Sequence, residues 1–593
     1  MALYPITPPA GIIKNGTDYA NTGRWIDGDL VRFENGYLKP LGGWGKFSRD
    51  TQLQYLPSKF GTITTTASSK VVSIVTTTPH GADAGDKVSL ENFISFGGLS
   101  EDVINQNFFI DSVTSSYAFE VTLSEAATST GTGSFVGNVI FPDTPIGMYT
   151  YKTNNGEKVL AVGCRQKVFV LYNDTWYDIT PTGFVGDNVI SSKGFGSYHY
   201  GVEDYGDERS QSALSFDTKS YSFDNWGEHL VFCFAGDGKI YQWRPDAGGG
   251  SPDTIATQIT NSPIGCQSII VTNERHLVAI GAGGDPRKIS WSDREDNTNW
   301  TSLARNTAGD LQIATGGRAL YAVKWQNEVI IFTDVGINRL YYTGSPFIYG
   351  IQDAGINCKA ISPRAITSAG QFLSWIGENS FFTYDGRVKE LKSDVHDFIF
   401  DNIQVNTQQT TFGTHNVDFN EIWWFFPVGD IDQLNPNKYV IWNYLDNVWS
   451  VGSMDRGCWI DQGVFDYPIS CDSRGFVYEH DKRPLKDSPF IGSQVPFCQT
   501  APIEIGNGDR VVQVNQIIPD EESGSLPGIT IGFKGKFTPL GTETDFGNFT
   551  FENDGYTDAR FTARQVSMKV TGSLEQDFQV GKIRVDGKPR GKR

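Results

Sequence analysis

The chain has 593 residues, a formal net charge of −19 and 20% charged residues. At roughly 150 residues per domain this length exceeds one compact core, and the acidity excludes a protein that coats nucleic acid through basic clusters. Glycine (65), phenylalanine (39), tyrosine (24) and tryptophan (14) are abundant against 4 methionines, a β-type mixture with many turns that need positive φ.

The opening MALYPITPPAGIIKNG has no charged n-region and no apolar h-region, so it does not read as a signal peptide. No run of about 18 apolar residues follows, and no membrane segment is expected. Residues 1–57 read as an N-terminal arm carrying the first strands of a larger β-unit. Within them, Leu30–Phe33 alternates and Asn35-Gly36 marks a tight hairpin turn. Residues 58–138 change texture: they are rich in Thr, Ser and Val and lack Trp. Period-two runs with small-residue turns predict a small separate β-domain, inserted in a surface loop of the first blade, where extra length costs little.

From 139 to 485 one pattern recurs: an apolar strand, a Gly/Asp turn and an aromatic strand. Copies start at Glu157, Glu228, Arg275, Glu328, Gln371, Glu421 and Tyr467. After a longer first gap the spacing is roughly 45 to 50 residues, the period of a propeller blade. A single such hairpin cannot bury its apolar face, whereas radial stacking buries all of them. The predicted fold is therefore all-β: a β-propeller of about seven blade-like repeats with an inserted β-domain. The stretch from Ile179 to Phe223 is polar and Gly/Ser-rich, and reads as an elaborated blade or a long rim loop. One short helix is predicted at Lys392–Ile403 from the spacing of Val395, Phe398, Ile399 and Ile403. Beyond Pro484 the blade rhythm stops, and the alternating runs in 486–593 predict a C-terminal β-sandwich. It ends in a basic tail holding Lys582, Arg584, Lys588, Arg590, Lys592 and Arg593, read as a solvated terminus or as a dock for an acidic neighbour.

Catalytic signatures are missing. There is no G-x-S-x-G elbow and no H-E-x-x-H, and GGWGKFS from Gly42 lacks the first Gly of a P-loop. The seven histidines are scattered, and His80 reads as a turn residue rather than a ligand. Seven dispersed cysteines without a CxxC read as small buried thiols of a chain made in a reducing cytoplasm. The loop Ser292–Trp300 is rich in oxygen donors but lacks the calcium-loop register, so a self-bonded turn is expected. Asp353, Asp385 and Glu421 lie near strand ends in neighbouring repeats, where a carboxylate pair would serve a glycosidase; ordinary turn acids are the expectation. Trp325, Trp375, Trp423, Trp424 and Trp449 would form either a sugar-stacking face or blade packing, and packing is expected. No cofactor, metal or catalytic residue is predicted.

Three stretches carry a family resemblance. IIKNGTDYANTGRWIDGDLVRFENGYLKPLGGW near the start, the run from ISWSDREDNTNWT to FLSWIGENSFFTYDGRV, and the ending FTARQVSMKVTGSLEQDFQVGKIRVDGKPRGKR are similar to structural tail proteins of short-tailed bacteriophages. The chain resembles the tail nozzle, or tail tubular protein B, and the related tail hub; residues 58–138 resemble a small β-module of phage tail proteins. The resemblance implies a non-enzymatic virion component made in the host cytoplasm. It implies a homohexameric ring below a tail adaptor protein, beside fibres or spikes, with double-stranded DNA retained in and then ejected through its axis without sequence-specific binding. The channel is then expected between subunits, each propeller acting as a rigid wall. A host-surface propeller that binds or cleaves carbohydrate is the alternative.

Overall fold

In the computed structural model the described residues are 2–47, 54–77, 80, 82, 84, 87–133, 137–186, 219–247, 250–314, 316–429, 435–473, 475–482, 495–505, 510–519, 521–523, 529–538, 541–550, 555–572 and 577–591. Seven four-stranded antiparallel sheets follow one another as blades. Blade 1 runs from Pro145–Lys152 to Thr175–Asp178, blade 2 from Tyr221–Trp226 to Thr257–Gln258, and blade 3 from Ser268–Val271 to Gly309–Gln312. Blade 4 runs from Ala319–Trp325 to Ile348–Ile356, blade 5 from Ile366–Ser368 to Val388–Leu391, and blade 6 from Phe412–Asn416 to Val448–Ser453. Blade 7 takes Cys458–Ile460, Ile469–Cys471 and Val477–Lys482, and its fourth strand is Gly43–Lys46 from the other end of the chain. First strands of neighbouring blades adjoin from blade 1 to 4 and from 5 to 7, blades 4 and 5 share a core of Ile330, Phe332, Leu373 and Trp375, and blade 1 meets blade 7, so the ring closes.

The chain is thus an all-β propeller, and the recurring sequence pattern is the two middle strands of each blade. These strands are apolar on both faces because each lies between two other blades: Lys158–Cys164, His229–Phe234 and Glu421–Phe426 are buried almost throughout.

The N-terminal arm departs from expectation. Its propeller strand Gly43–Lys46 is the last of the ring, not the first, and ties both ends of the chain into one sheet. The other N-terminal strands complete the C-terminal sheets. Ala2–Ile6 lies beside Ile583–Pro589, Trp25–Asp29 beside Phe497–Thr500, and Tyr37–Pro40 beside Phe578–Val580. The predicted hairpin pairs Val31–Glu34 with Tyr37–Pro40, and Asn35 and Gly36 take the positive φ (52° and 83°) that a primed turn requires. The C-terminal sandwich is therefore built from both termini, and its core is continuous with that of blades 5 and 6.

The inserted sheet spans Gln54–Thr65 to Gly137–Pro142 and stands between the closing strand and blade 1, rather than within a loop of blade 1. It has its own core around Ile63, Ile74, Leu90, Phe119 and Val139. The predicted helix is shorter than expected, His396–Phe400, with Ile399 buried. Of the long stretch after Ile179, residues 187–218 lie outside the described residues. The basic tail is not a free terminus: Lys582, Arg584, Lys588 and Arg590 flank or occupy the strand Ile583–Pro589, which lies between Ala2–Ile6 and Val512–Ile518. Lys592 and Arg593 lie outside the described residues.

Candidate functional site

Propellers present ligand sites along the central channel or at the rim turns. Side chains from the first strands tie neighbouring blades together. Asp224 of blade 2 is one such tie: its Oδ2 is 2.7 Å from Lys324 Nζ of blade 4, across blade 3, and accepts the Val271 amide of blade 3 at 2.7 Å. Tyr149 of blade 1 donates to Asp224 at 3.3 Å. Four blades thereby meet on one carboxylate that is almost wholly buried. Burial, helped by the Asp224 charge, drives the Tyr149 hydroxyl above its ordinary range. Burial likewise pushes the neighbouring Tyr321 hydroxyl up to about 12, so both stay protonated donors. On the other side Arg364, before blade 5, donates to the Thr410 carbonyl (3.4 Å) and to the Gly457 carbonyl leading into blade 7.

A second concentration of polar groups lies where the N-terminal hairpin meets blades 6 and 7. Arg32 is fully buried, 3.1 Å from Glu421 and 2.9 Å from Asp481, with its guanidinium 3.5 Å from the Phe419 ring centroid. Asn416 and the Gly42 amide also donate to Asp481, at 2.8 and 3.2 Å. Burial raises Glu421 to about 7 despite the Arg32 charge beside it, since one guanidinium faces two carboxylates.

This places the three candidate acids apart in function. Glu421 is a core ion-pair partner. Asp385 is an exposed turn residue paired with Lys389, and Asp353 is exposed on the outermost strand of blade 4. None lies on a first strand, so they do not share the axis. The five candidate tryptophans are buried packing residues, as expected. Trp424 of blade 6 donates to the Ala365 carbonyl of blade 5 at 3.1 Å, and Trp375 donates to the Cys358 carbonyl at 2.9 Å.

The Ser292–Trp300 loop bonds to itself and to Thr307. Asp293 accepts from the Arg294 amide and the Thr307 amide and hydroxyl, and Asp296 accepts from the Thr298 amide. His80 is buried, its Nδ1 accepting the Ala82 amide at 3.1 Å and its Nε2 lying 3.0 Å from the Ser115 carbonyl. All seven cysteines are buried and free. Among the described residues no group of three His, Cys, Asp or Glu is placed to hold a metal ion. No helix of the described residues is long and apolar enough to cross a membrane.

The residues that tie the first strands together carry no signal in the sequence. Asp224 and Lys324 stand in short first strands (YSFDNW and ALYAVKW), where a lone charge looks like a solvent-facing position.

The architecture is that of a seven-bladed propeller fused to a sandwich made by both termini. No family model matches the chain, and no curated protein matches it. Among solved structures it is similar to the WD40 domain of coronin from Toxoplasma gondii, at 11% identity over 58% of this chain and 81% of that one, TM-score 0.29. BamB from Moraxella catarrhalis matches at 11% identity, 46% and 87% coverage, TM-score 0.25. AztD from Citrobacter koseri matches at 8% identity, 67% and 96% coverage, TM-score 0.27. At such scores the propeller assignment stands on the seven sheets themselves.

Proposed function

We propose that this chain is a structural subunit of a short phage tail. In this reading it forms, with copies of itself, the distal nozzle ring through which DNA is held and then ejected. The observation that carries the reading is the build of the chain: seven blades tied to one another, with Tyr149 and Lys324 of blades 1 and 4 meeting on Asp224 of blade 2, and both termini folded into one sandwich, which suits a rigid wall element. The N-terminal and C-terminal stretches that resemble tail proteins fold together into one sandwich on the outer strand of blade 6, as Trp25–Asp29 and Val31–Glu34 pack on Val448–Ser453. That arrangement supports a role for the sandwich in fixing one subunit against its neighbours.

A homohexameric ring, an adaptor protein above it and fibres or spikes beside it belong to the same proposal. Light scattering coupled to gel filtration, followed by negative-stain imaging, tests it. A closed ring with a central opening wider than a DNA duplex is expected. A persistent monomer that releases reducing sugar from host polysaccharide would overturn it.

A further inference from the structure

The basic strand Ile583–Pro589 gives the C-terminal sandwich one positive face. Its sheet runs in the order Ala2–Ile6, Ile583–Pro589, Val512–Ile518, Thr557–Ala563, and Val512, Val514, Ile517, Phe561, Ile583 and Val585 turn inward to the shared core. Strand alternation then turns Arg560, Arg584 and Lys588 outward, and all three are exposed. Arg590, just past the strand, lies over the same face: it donates to Gln513 at 2.8 Å, and Gln513 is the register partner of Lys588. Among the described residues none of Arg560, Arg584 and Lys588 meets a carboxylate. The acids of the face are Asp558, which accepts from Gln516 at 3.2 Å, and Asp586, which is buried. Leu3 and Pro5 of the edge strand, register partners of Asp586 and Arg584, add exposed apolar surface among the charges.

The chain as a whole carries −19, so this face finds its complement on other copies of the same molecule. An acidic and apolar patch of matching character lies on the turns of blades 6 and 7. Three exposed apolar side chains there each stand next to an aspartate: Val417 by Asp418, Leu445 (69% exposed) by Asp446, and Tyr467 by Asp466. The turns are tied to one another. The Val417 amide donates to Asp461 at 3.0 Å, Gln462 donates to Asp418, and the Tyr444 amide donates to the Asn420 carbonyl at 3.1 Å. Asp418 and Asp446 pair with no cation among the described residues, and Asp466 reaches only Lys158, at 3.5 Å.

No ion pair among the described residues joins the two patches within the chain, and the core shared by the sandwich and blade 6 fixes both in place. Apolar Leu3 and Pro5 amid the cations favour a protein partner over a phosphate backbone. We infer that the positive sandwich face of one copy docks on the acidic blade 6 and 7 turns of the next. Arg584 and Lys588 then meet Asp418 and Asp446 around a centre of Leu3 and Leu445. Two unlike patches make a head-to-tail contact, which repeats into a ring or a filament. The inference rests on the proposed self-assembly and names the surfaces that carry it.

Sedimentation velocity and light scattering of the full chain test it. Assembly should weaken between about 50 mM and about 500 mM salt, as screening shortens the reach of exposed charges. Arg584→Glu with Lys588→Glu should raise the dissociation constant roughly a hundredfold, because each attraction becomes a repulsion. Asp418→Lys with Asp446→Lys should do the same. An equimolar mixture of the two reversed chains should assemble again, since each then presents the charge that the other lacks. Misfolded chains would not rescue one another, so recovery separates docking from damage. Assembly of the parent chain that neither reversal weakens, or a mixture that does not recover, would overturn this inference and leave the nozzle reading standing. A parent chain that stays monomeric would overturn both. A labelled DNA duplex held by the parent chain and released by Arg584→Glu with Lys588→Glu would give the face a different occupant and overturn the inference as well.

Discussion

Arg32 shows how much one residue can hold at the junction of three units. It is 1% exposed and neutralises carboxylates from blade 6 (Glu421) and from the end of blade 7 (Asp481), while its own backbone belongs to the N-terminal hairpin. Arg32→Met removes the cation and leaves two acids without it, a change that costs about 3–5 kcal/mol in comparable buried pairs. Urea titration should show that loss, and Arg32→Met with Glu421→Met should recover part of it. Burial also raises Glu421 and Asp143 to about 7, Asp143 while accepting the Gln166 and Lys167 amides. Unfolded carboxylates titrate near ~4, so between about pH 4 and 7 the folded chain keeps protons that the unfolded chain releases. Stability is then fullest below that window and falls as pH rises through it, opposite to an ordinary salt-bridged acid. The buried His480, held well below its ordinary range, acts in the opposite direction up to about pH 6.5, so the test is a difference. Between pH 5 and pH 8 the melting temperature of Glu421→Gln should fall less, or rise more, than that of the parent chain, and an unchanged slope would contradict the assignment.

At the scale of elements, what could be read from the sequence follows burial. The middle strands of each blade are enclosed on both faces, so runs such as EIWWFF and HLVFCF announce themselves. The outer strands are half-wet and short: Thr257–Gln258 is exposed, and Val388–Leu391 nearly so, which leaves no pattern to read. Non-local pairing was also illegible. Nothing in GWGK says that it joins Val477–Lys482 at the far end of the chain, although the approach is tight enough that a Cβ on Gly42 would lie 2.6 Å from the Asp481 Cα. The candidate acids and tryptophans were legible as types but not as neighbours, since which strand faces the axis depends on ring closure. Removing residues 2–47 takes away the closing strand and four sandwich strands together, exposing the edge of Val477–Lys482. That truncation should aggregate or lose cooperative unfolding. Gly42→Ala, a much smaller change at the same seam, should lower the melting temperature while leaving the transition single.

Across the whole molecule, the distribution of cores predicts how the chain comes apart. The sandwich shares its core with blades 5 and 6, through Trp25, Val31, Trp424, Trp449, Val514 and Phe561, so these units should melt as one. The inserted sheet shares none of it: Ile63, Ile74, Phe119 and their neighbours form a separate cluster. A module of its size, at about 0.7 kcal/mol per residue, should absorb roughly 60 kcal/mol on unfolding near 60 °C. Scanning calorimetry of the full chain should therefore resolve two transitions, a small one for the module and a large one for propeller plus sandwich. Joining Phe47 to Thr144 through a short glycine linker should abolish the small transition and leave the large one in place. The closing strand and the first strand of blade 1 would still flank the splice, so the ring itself is undisturbed. A single merged transition in the full chain, or loss of the large transition on excision, would show that the module is part of the ring's own fold.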